Sequence, residues 1–144
     1  MIKKTCCFAG HSKFKHRKEI VWCVLMHQIV TATENGYTHF IVGGVLGLGA
    51  MAADIVIKLR DKFGDKVTLE LAIPYPLGLY QLQNEYRKKR FETFIKANKI
   101  TAVCNEYRKD SFIERDKYMV DNSSLVIAYC NGQSGRNGSI IKIR

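Results

Sequence analysis

Apolar residues occur along this chain in short runs, separated by longer stretches in which they recur every three or four positions. A short apolar run bounded by charge or glycine is typical of a buried strand, and the longer repeat is typical of an amphipathic helix. The runs predict strands over residues 4–9, 39–42, 66–73, 100–103 and 124–129. The stretches between them predict helices over residues 17–34, 50–63, 79–97 and about 110–121.

Residues that end or begin helices and strands stand between these segments. Asn35 and Gly36 follow the first helix, Pro74 ends the third strand, and Asp110 or Ser111 can cap the last helix. Strand and helix therefore alternate, which predicts an α/β fold with a mainly parallel sheet. We expect one three-layer domain over residues 1–144, in which about five strands carry helices on both faces.

Composition indicates the cellular compartment of the protein. Of the 144 residues, 47% are hydrophobic, and the apolar run after Lys4 is too short for a signal peptide or a membrane span. The cysteines lie mostly in apolar segments without the spacing of a zinc or redox site, which predicts buried, reduced thiols. These residues are Cys6, Cys7, Cys23, Cys104 and Cys130. We expect a cytoplasmic protein with no membrane partner.

The formal net charge of +10 indicates an anionic partner. Nucleic acid, an acidic surface and a phosphorylated small molecule all fit it. The charge is concentrated in residues 13–18 and 87–90, although a solvated helix face would explain either cluster as well.

The unusual loops of the chain all follow predicted strands. Gly10 and His11 follow the first strand, residues 43–49 the second, Pro74 and Tyr75 the third, and residues 131–139 the fifth. In a parallel sheet the carboxyl ends of the strands share one edge, and ligands bind there where the strand order reverses. The four loops are therefore predicted to converge on one binding site.

Glycine dominates the loop after the second strand, which contains Gly43, Gly44, Val45 and Gly47. Glycine lets the backbone approach a ligand closely, and the start of the following helix offers free N–H groups to a phosphate. The spacing matches neither a Walker A loop nor a strict GxGxxG motif. We predict an anion site here; the alternative is that these glycines only let the helix pack closely on the strand.

Two further groups of residues are predicted to bind the ligand at this edge. His11 and Lys13 follow the first strand, where His11 is placed to hydrogen-bond a ribose or phosphate or to act as a general acid or base. A lone histidine is, however, more often structural. Asn131, Gly138 and Ser139 belong to the polar loop after the fifth strand, which would look similar as an ordinary surface turn.

Arg115 lies one helical turn before Met119 and can reach the cleft, or it can pair with Glu114 or Asp116 instead. The carboxylates form no recognisable acid/base pair, and the chain has neither a nucleophile elbow nor a catalytic Cys/His signature. His11 is the one candidate catalytic residue. The histidines form no metal-ligand pattern, so we predict no metal and no cofactor.

Four motifs occur in order on these elements. They are Phe8-Ala9-Gly10-His11, residues 42–47 with Ala52-Ala53, residues 72–75, and Arg115 with residues 119–121 and 125–128. Together they resemble the YpsA/YoqJ-like family of the SLOG superfamily over nearly the whole chain. The resemblance implies a Rossmann-like fold related to Lonely Guy phosphoribohydrolases and to the DNA-processing protein DprA. It also implies a nucleotide or ADP-ribose-like ligand near Gly10, His11, Gly43, Gly44, Gly47, Gly138 and Ser139.

The chain departs from that family at positions that bear on catalysis. Gly49 stands where the family commonly has an acidic residue, and residues 137–139 replace a Gly-Gly-Thr motif. The phosphoribohydrolase signature of Pro-Gly-Gly-x-Gly-Thr followed by two residues and Glu is also absent. These departures favour binding over catalysis.

Three alternative functions are consistent with these residues and with the resemblance. The first is a non-catalytic protein that senses or sequesters a phosphorylated nucleotide signal, such as an ADP-ribose-like molecule or a cyclic nucleotide. The second is a nucleotide hydrolase acting on an N-glycosidic or phosphate bond, using His11 and either Asp54 or Arg115. The third is a DNA-associated protein, which is less favoured because no aromatic platform or recognition helix is evident. A homodimer or higher homo-oligomer is also expected, because the last predicted strand has little helical cover.

Overall fold

The computed structural model describes residues 4–10, 17–43, 47–76, 92–93, 95–130 and 139–143. The strands are β1 (Lys4–Gly10), β2 (Tyr37–Val42), β3 (Thr68–Ile73), β4 (Lys99–Ala102), β5 (Leu125–Cys130) and β6 (Ser139–Ile143). The helices described over their whole length are α1 (Lys18–Glu34), α2 (Gly47–Phe63) and α3 (Ser111–Asp121), with a 3-10 turn at Gly64–Lys66. Residues 92–93 and 95–96 are helical, as predicted, and most of the predicted helix over 79–97 lies outside the described residues.

The six strands form one sheet in the order β4-β3-β2-β1-β5-β6. Strands β1 to β5 are parallel, whereas β6 runs antiparallel to β5. The chain proceeds outward from β1 to β4 and then returns through α3 to β5, on the other side of β1. The strand order therefore reverses between β1 and β5, which is the position where such sheets bind ligands.

Helices cover both faces of this sheet. On one face, α1 and α2 pack their buried side chains, Leu25 and Ile55 among them, against Phe8, Phe40 and Leu71. On the other face, α3 packs Met119 against a smaller apolar cluster of Cys7, Ile41, Ala72 and Val126. Alternate residues of each strand point to opposite faces, so a single strand supplies both clusters. The predicted α/β fold with three layers is confirmed.

The sheet has one strand more than the sequence analysis predicted. Ser139, assigned there to a loop, is the first residue of β6 and pairs with Cys130 of β5. β6 covers the outer edge of β5 and lies against α1. Pairing with β6 satisfies the backbone groups of that edge. The predicted homo-oligomer concerned the helical cover over the face of the last predicted strand, and it stays a prediction.

Two local predictions are corrected as well. Asp110 occupies the position before α3 but makes no side-chain cap, and the Ser111 hydroxyl instead accepts a hydrogen bond from the Arg108 N–H at 2.7 Å. α2 begins at Gly47 rather than at residue 50, so Gly49 lies within its first turn.

Cys6, Cys7 and Cys104 are buried, as predicted. Cys23 is exposed, which contradicts the prediction, because it lies on the outer face of α1. In the part of the chain that the structure describes, no helix has the length and hydropathy required to cross a membrane.

Candidate functional site

The point of strand reversal is marked by close contact between β1 and β5. Gly10 ends β1 opposite Tyr129, with a φ of 154° that side chains rarely adopt. A Cβ atom at Gly10 would lie 3.0 Å from the Tyr129 carbonyl oxygen and 3.1 Å from its Cβ. Only glycine therefore fits at the carboxyl end of β1, next to the buried Tyr129.

Gly43, directly after β2, is the second glycine that close packing requires. A Cβ atom there would lie 2.7 Å from the Met119 sulfur and 3.0 Å from Arg115 Nε. The Gly43 carbonyl oxygen accepts a hydrogen bond of 2.5 Å from Arg115 Nη1. Helix α3 thus rests on the carboxyl end of β2 through Arg115 and Met119, and the absent side chain of Gly43 makes room for both.

The guanidinium of Arg115 is held on three sides. In addition to Gly43, its Nε and Nη2 donate to Asp116 Oδ1 at 3.1 and 3.0 Å, and its carbon lies 5.4 Å from the centre of the Phe112 ring. The side chain is 15% exposed. Because a guanidinium has five N–H groups, one on each terminal nitrogen has no partner among the described residues. Arg115 is therefore a fixed cation at the sheet edge, with two donors that no described residue uses.

An aromatic cluster stands beside Arg115, where β3 and β4 end. Tyr75, buried beneath it, meets the Tyr107 ring at 5.4 Å and the Phe112 ring at 6.4 Å, both nearly perpendicular. The loops carrying these residues are joined by a hydrogen bond of 3.0 Å from the Cys104 N–H to the Pro74 carbonyl. Tyr75, predicted to bind the ligand together with Pro74, is thus connected to the Arg115 side chain through the Phe112 ring.

Helix α2 begins at the same edge. Its first residue, Gly47, follows Gly43 after three residues that lie outside the described part, and its first turn contains no acidic side chain. The free N–H groups and the dipole of a helix start favour an anion. The start of α2 and the guanidinium of Arg115 therefore both present positive charge near the end of β2.

The structure brings six of the predicted site residues to the carboxyl edge of the sheet: Gly10, Gly43, Gly47, Pro74, Tyr75 and Arg115. Ser139 starts β6. Six others lie outside the described residues: His11, Lys13, Gly44, Val45, Asn131 and Gly138. Of the basic clusters, Arg17 and Lys18 are described and exposed.

Asp54, considered for the hydrolase, lies on the other face of the sheet from Arg115. It lines a cavity of about 320 Å³ with Trp22, Lys58 and Glu92. The Lys58 ammonium stands over the Trp22 ring at 4.9 Å from its centre. The structure therefore does not bring Asp54 together with Arg115.

Sequence reasoning missed a buried polar network under α3. Glu70, in the middle of β3, is only 2% exposed. Its Oε1 accepts from His39 Nε2 at 2.7 Å, while its Oε2 accepts from the hydroxyls of Thr101, at 2.7 Å, and Tyr118. His39 Nδ1 in turn pairs with the Thr68 hydroxyl at 2.7 Å. The signal in the sequence was a glutamate between the apolar residues of a buried strand.

The electrostatics of this network favour the charged carboxylate. Burial by itself would raise the pKa of Glu70, but hydrogen bonds from His39, Tyr118 and Thr101, with the charge of Lys99, lower it to about 2. Burial, together with its bond to Glu70, raises the pKa of Tyr118. Both carboxylate oxygens are engaged by the protein itself, so the network stabilises the packing of α3 on the sheet.

Parallel strands flanked by helices, a strand order that reverses beside β1, and cationic groups at the carboxyl edge define a Rossmann-like domain with a candidate anion site. The chain belongs to the YpsA family: the family model, described as the YspA SLOG family, matches residues 8–141. Membership of this family indicates a nucleotide-related function. A search of the curated proteins found no significant match.

Proposed function

We propose that this protein binds a phosphorylated, nucleotide-derived ligand at the carboxyl edge of its sheet, as a sensor or sequestering protein without catalysis. The observation that carries the proposal is the position of Arg115. Its guanidinium is fixed by Gly43 and Asp116 while two N–H groups have no partner among the described residues. Arginine presents paired donors with a geometry that suits phosphate oxygens.

Three further features support an anionic ligand at this place. The start of α2 lies after the same strand as Gly43 and has no acidic residue in its first turn. The formal net charge is +10. The family itself indicates nucleotides. An ADP-ribose-like molecule or a cyclic nucleotide would supply both a phosphate for Arg115 and a ribose for the neighbouring loops.

Isothermal titration with AMP, ADP-ribose, cyclic AMP and a cyclic dinucleotide tests the proposal. We expect at least one of them to bind, and Arg115→Gln to weaken that binding by about tenfold or more, because a hydrogen bond to a charged group contributes about 1.5–3 kcal/mol. If none of the four ligands binds to the wild-type protein, the proposal fails.

Arg60→Gln is the matched control. Arg60 lies in the last turn of α2, and its Nη1 donates to Asn98 Oδ1 at 2.7 Å. Asn98 directly precedes β4, so this arginine lies at the amino edge of the sheet. Its substitution removes the same charge from the protein, and we expect unchanged affinity. Equal losses for the two variants would show that only net charge matters.

Hydrolysis of the ligand remains the alternative function, with His11 as the candidate catalytic residue. Chromatography of the ligand after prolonged incubation distinguishes the two. We expect intact ligand; a product that disappears in His11→Ala would establish the hydrolase instead.

Association with DNA is the second alternative. Retention on single-stranded DNA that persists at physiological salt would support it, whereas retention only at very low salt reflects unspecific charge.

A homodimer or higher homo-oligomer remains a prediction. Ile20 and Val24, which are 49% and 40% exposed on the outer face of α1, are consistent with a self-contact. Light scattering at micromolar concentration tests it, and a monomer would contradict it.

A further inference from the structure

We propose that Tyr107 and Phe112 form the surface on which the base of the bound nucleotide stacks, with Tyr107 as the principal ring. This inference rests on the proposed function and adds to it the part of the ligand that gives specificity. It places the planar, aromatic base of the ligand on these two rings at the sheet edge, while the phosphate binds Arg115.

The first observation is the exposure of the two rings. Tyr107 is 62% exposed and Phe112 is 50% exposed, although aromatic rings bury large apolar areas when a partner is present. Both rings contact the buried Tyr75 at nearly perpendicular angles, 83° for Tyr107 and 89° for Phe112. A buried tyrosine thus supports two rings that remain open to solvent on their outer side.

The second observation is that the backbone around the rings is fixed. The N–H groups of Val103 and Cys104 donate to the carbonyls of Ile73 and Pro74, each at 3.0 Å. After Tyr107, the Arg108 N–H donates to the Ser111 hydroxyl, and the Ser111 N–H donates back to the Arg108 carbonyl at 3.1 Å. Ser111 is fully buried, which anchors this turn. A surface fixed in this way loses little conformational entropy when a base stacks on it.

The third observation is the neighbouring charge. The Arg115 guanidinium lies 5.4 Å from the centre of the Phe112 ring, so the anion-binding group and the aromatic surface are adjacent. A ligand with both a planar ring and a phosphate matches this pair, whereas an apolar peptide would offer no acceptor to the two N–H groups of Arg115 that have no partner among the described residues. Because Arg115 already covers one face of Phe112, the larger share of the stacking falls to Tyr107.

Titration with two ligands that differ only by the base tests the inference. Ribose 5-phosphate carries the sugar and the phosphate, and AMP adds adenine to them. We expect the wild-type protein to bind AMP at least tenfold more tightly than ribose 5-phosphate. Tyr107→Leu is expected to weaken AMP binding by about tenfold or more, as removal of a stacking ring does elsewhere, and to change ribose 5-phosphate binding less than about twofold.

Companion variants separate stacking from other effects. Tyr107→Phe keeps the ring and is expected to retain the affinity for AMP, and Phe112→Leu is expected to have a smaller effect than Tyr107→Leu. Tyr37→Leu is the control, because Tyr37 starts β2 at the amino edge and contacts Lys4, with 5.2 Å between the Nζ atom and the ring centre.

The outcomes distinguish this inference from the proposed function. If ribose 5-phosphate binds but AMP binds no more tightly, the base is not recognised here and the inference is overturned while the anion site stands. If Tyr107→Leu leaves AMP binding unchanged, or weakens both ligands equally, the ring does not contact the base. If neither AMP nor ribose 5-phosphate binds to the wild-type protein, the inference falls, and binding of the other nucleotides decides the proposed function separately.

Discussion

Helix α3 holds two polar clusters against the same face of the sheet, and they differ in what remains unpaired. Through Tyr118 it closes the network around Glu70, whose two carboxylate oxygens both accept hydrogen bonds from protein side chains. Through Arg115 it reaches Gly43, and that guanidinium keeps donors that no described residue uses. Tyr118 and Arg115 lie about one helical turn apart. Yet both carboxylate oxygens beside Tyr118 are hydrogen-bonded, whereas Arg115 has donors without a described partner.

The difference follows from where each cluster meets its strand. Glu70 lies in the middle of β3, beneath α3, where a buried charge must be fully compensated by the protein. Gly43 follows the last residue of β2, at the carboxyl edge of the sheet, where helix α2 begins. In the middle of the sheet a polar group must therefore find its partners within the protein, whereas at the edge it can keep donors that a ligand could use.

Glu70→Leu should have the largest effect, on stability. The change leaves the Tyr118 and Thr101 hydroxyls and the His39 N–H without their acceptor, and breaking a buried charged pair in this way costs about 3–5 kcal/mol. Urea unfolding measures this loss. Glu70→Gln keeps an acceptor and should lose clearly less; a Leu variant as stable as the wild type would mean that the network does not hold α3.

Acid should weaken the same network, with a somewhat smaller loss in the free energy of unfolding than in Glu70→Leu. The pKa of Glu70 is about 2 in the folded protein and 4.5 for an unperturbed glutamate. A lowered pKa means that the carboxylate stabilises the folded state fully above pH 4.5, and that this contribution, roughly 3 kcal/mol, disappears as the pH falls towards 2.

Urea unfolding of the wild type and of Glu70→Gln at several pH values in this range measures that contribution. The difference in the free energy of unfolding should shrink as the pH falls, since the neutral glutamine does not titrate. A difference that stays constant to the lowest pH would contradict the lowered pKa.

Gly43→Ala perturbs the edge cluster instead. The new methyl group would lie 2.7 Å from the Met119 sulfur and 3.0 Å from Arg115 Nε, so α3 must shift. Crowding of this kind costs about 1–3 kcal/mol, and we expect weaker ligand binding in titrations because Arg115 moves with α3. Gly64→Ala is the control: its φ of 74° is strained for alanine, but nothing lies within 4 Å and the site is distant. If Gly43→Ala bound the ligand with unchanged affinity, Gly43 would not belong to the binding site.

Asp116→Asn should have the smallest effect, and in the opposite direction for binding. Asp116 is 66% exposed, so its ion pair with Arg115 contributes less than about 1 kcal/mol to stability. Removing its charge makes the guanidinium more available to a phosphate, and titration should show an affinity gain of up to a few-fold. Asp121→Asn, an exposed change at the end of α3, should leave affinity unaltered. Weaker binding in Asp116→Asn would mean that Asp116 positions Arg115 rather than competes for it.

Much of the fold could be predicted because its signals are local. The predicted strands and helices correspond to those observed within a few residues, and Asn35 ends α1 as predicted. β6 was missed because residues 139–143 become a strand by pairing with β5, which the pattern of the segment itself does not reveal. The start of α2 was predicted too late because its first residues are Gly47, Leu48 and Gly49, and glycine is weak as a helix signal.

The candidate site, too, could be predicted only in part from the sequence. Gly10 and Gly43 could be named from the sequence because they directly follow predicted strands, and Arg115 because it lies on the last predicted helix within reach of the cleft. The contact between Arg115 and Gly43, 72 residues apart, could not be named, since it depends on how α3 lies across β2. The exposed rings of Tyr107 and Phe112 were overlooked because only the folded chain places them over Tyr75.

The sequence by itself determined the alternation of strands and helices and the edge of the sheet at which the described candidate residues lie, because hydrophobic periodicity and chain direction are properties of neighbouring residues. The tertiary structure alone decided which polar groups have their hydrogen-bond partners within the protein and which have donors that no described residue uses. Glu70 finds its partners 31 residues away in His39 and Thr101 and 48 residues away in Tyr118. Such pairings are set by the order of strands in the sheet and by the face that α3 covers, and no local pattern encodes them.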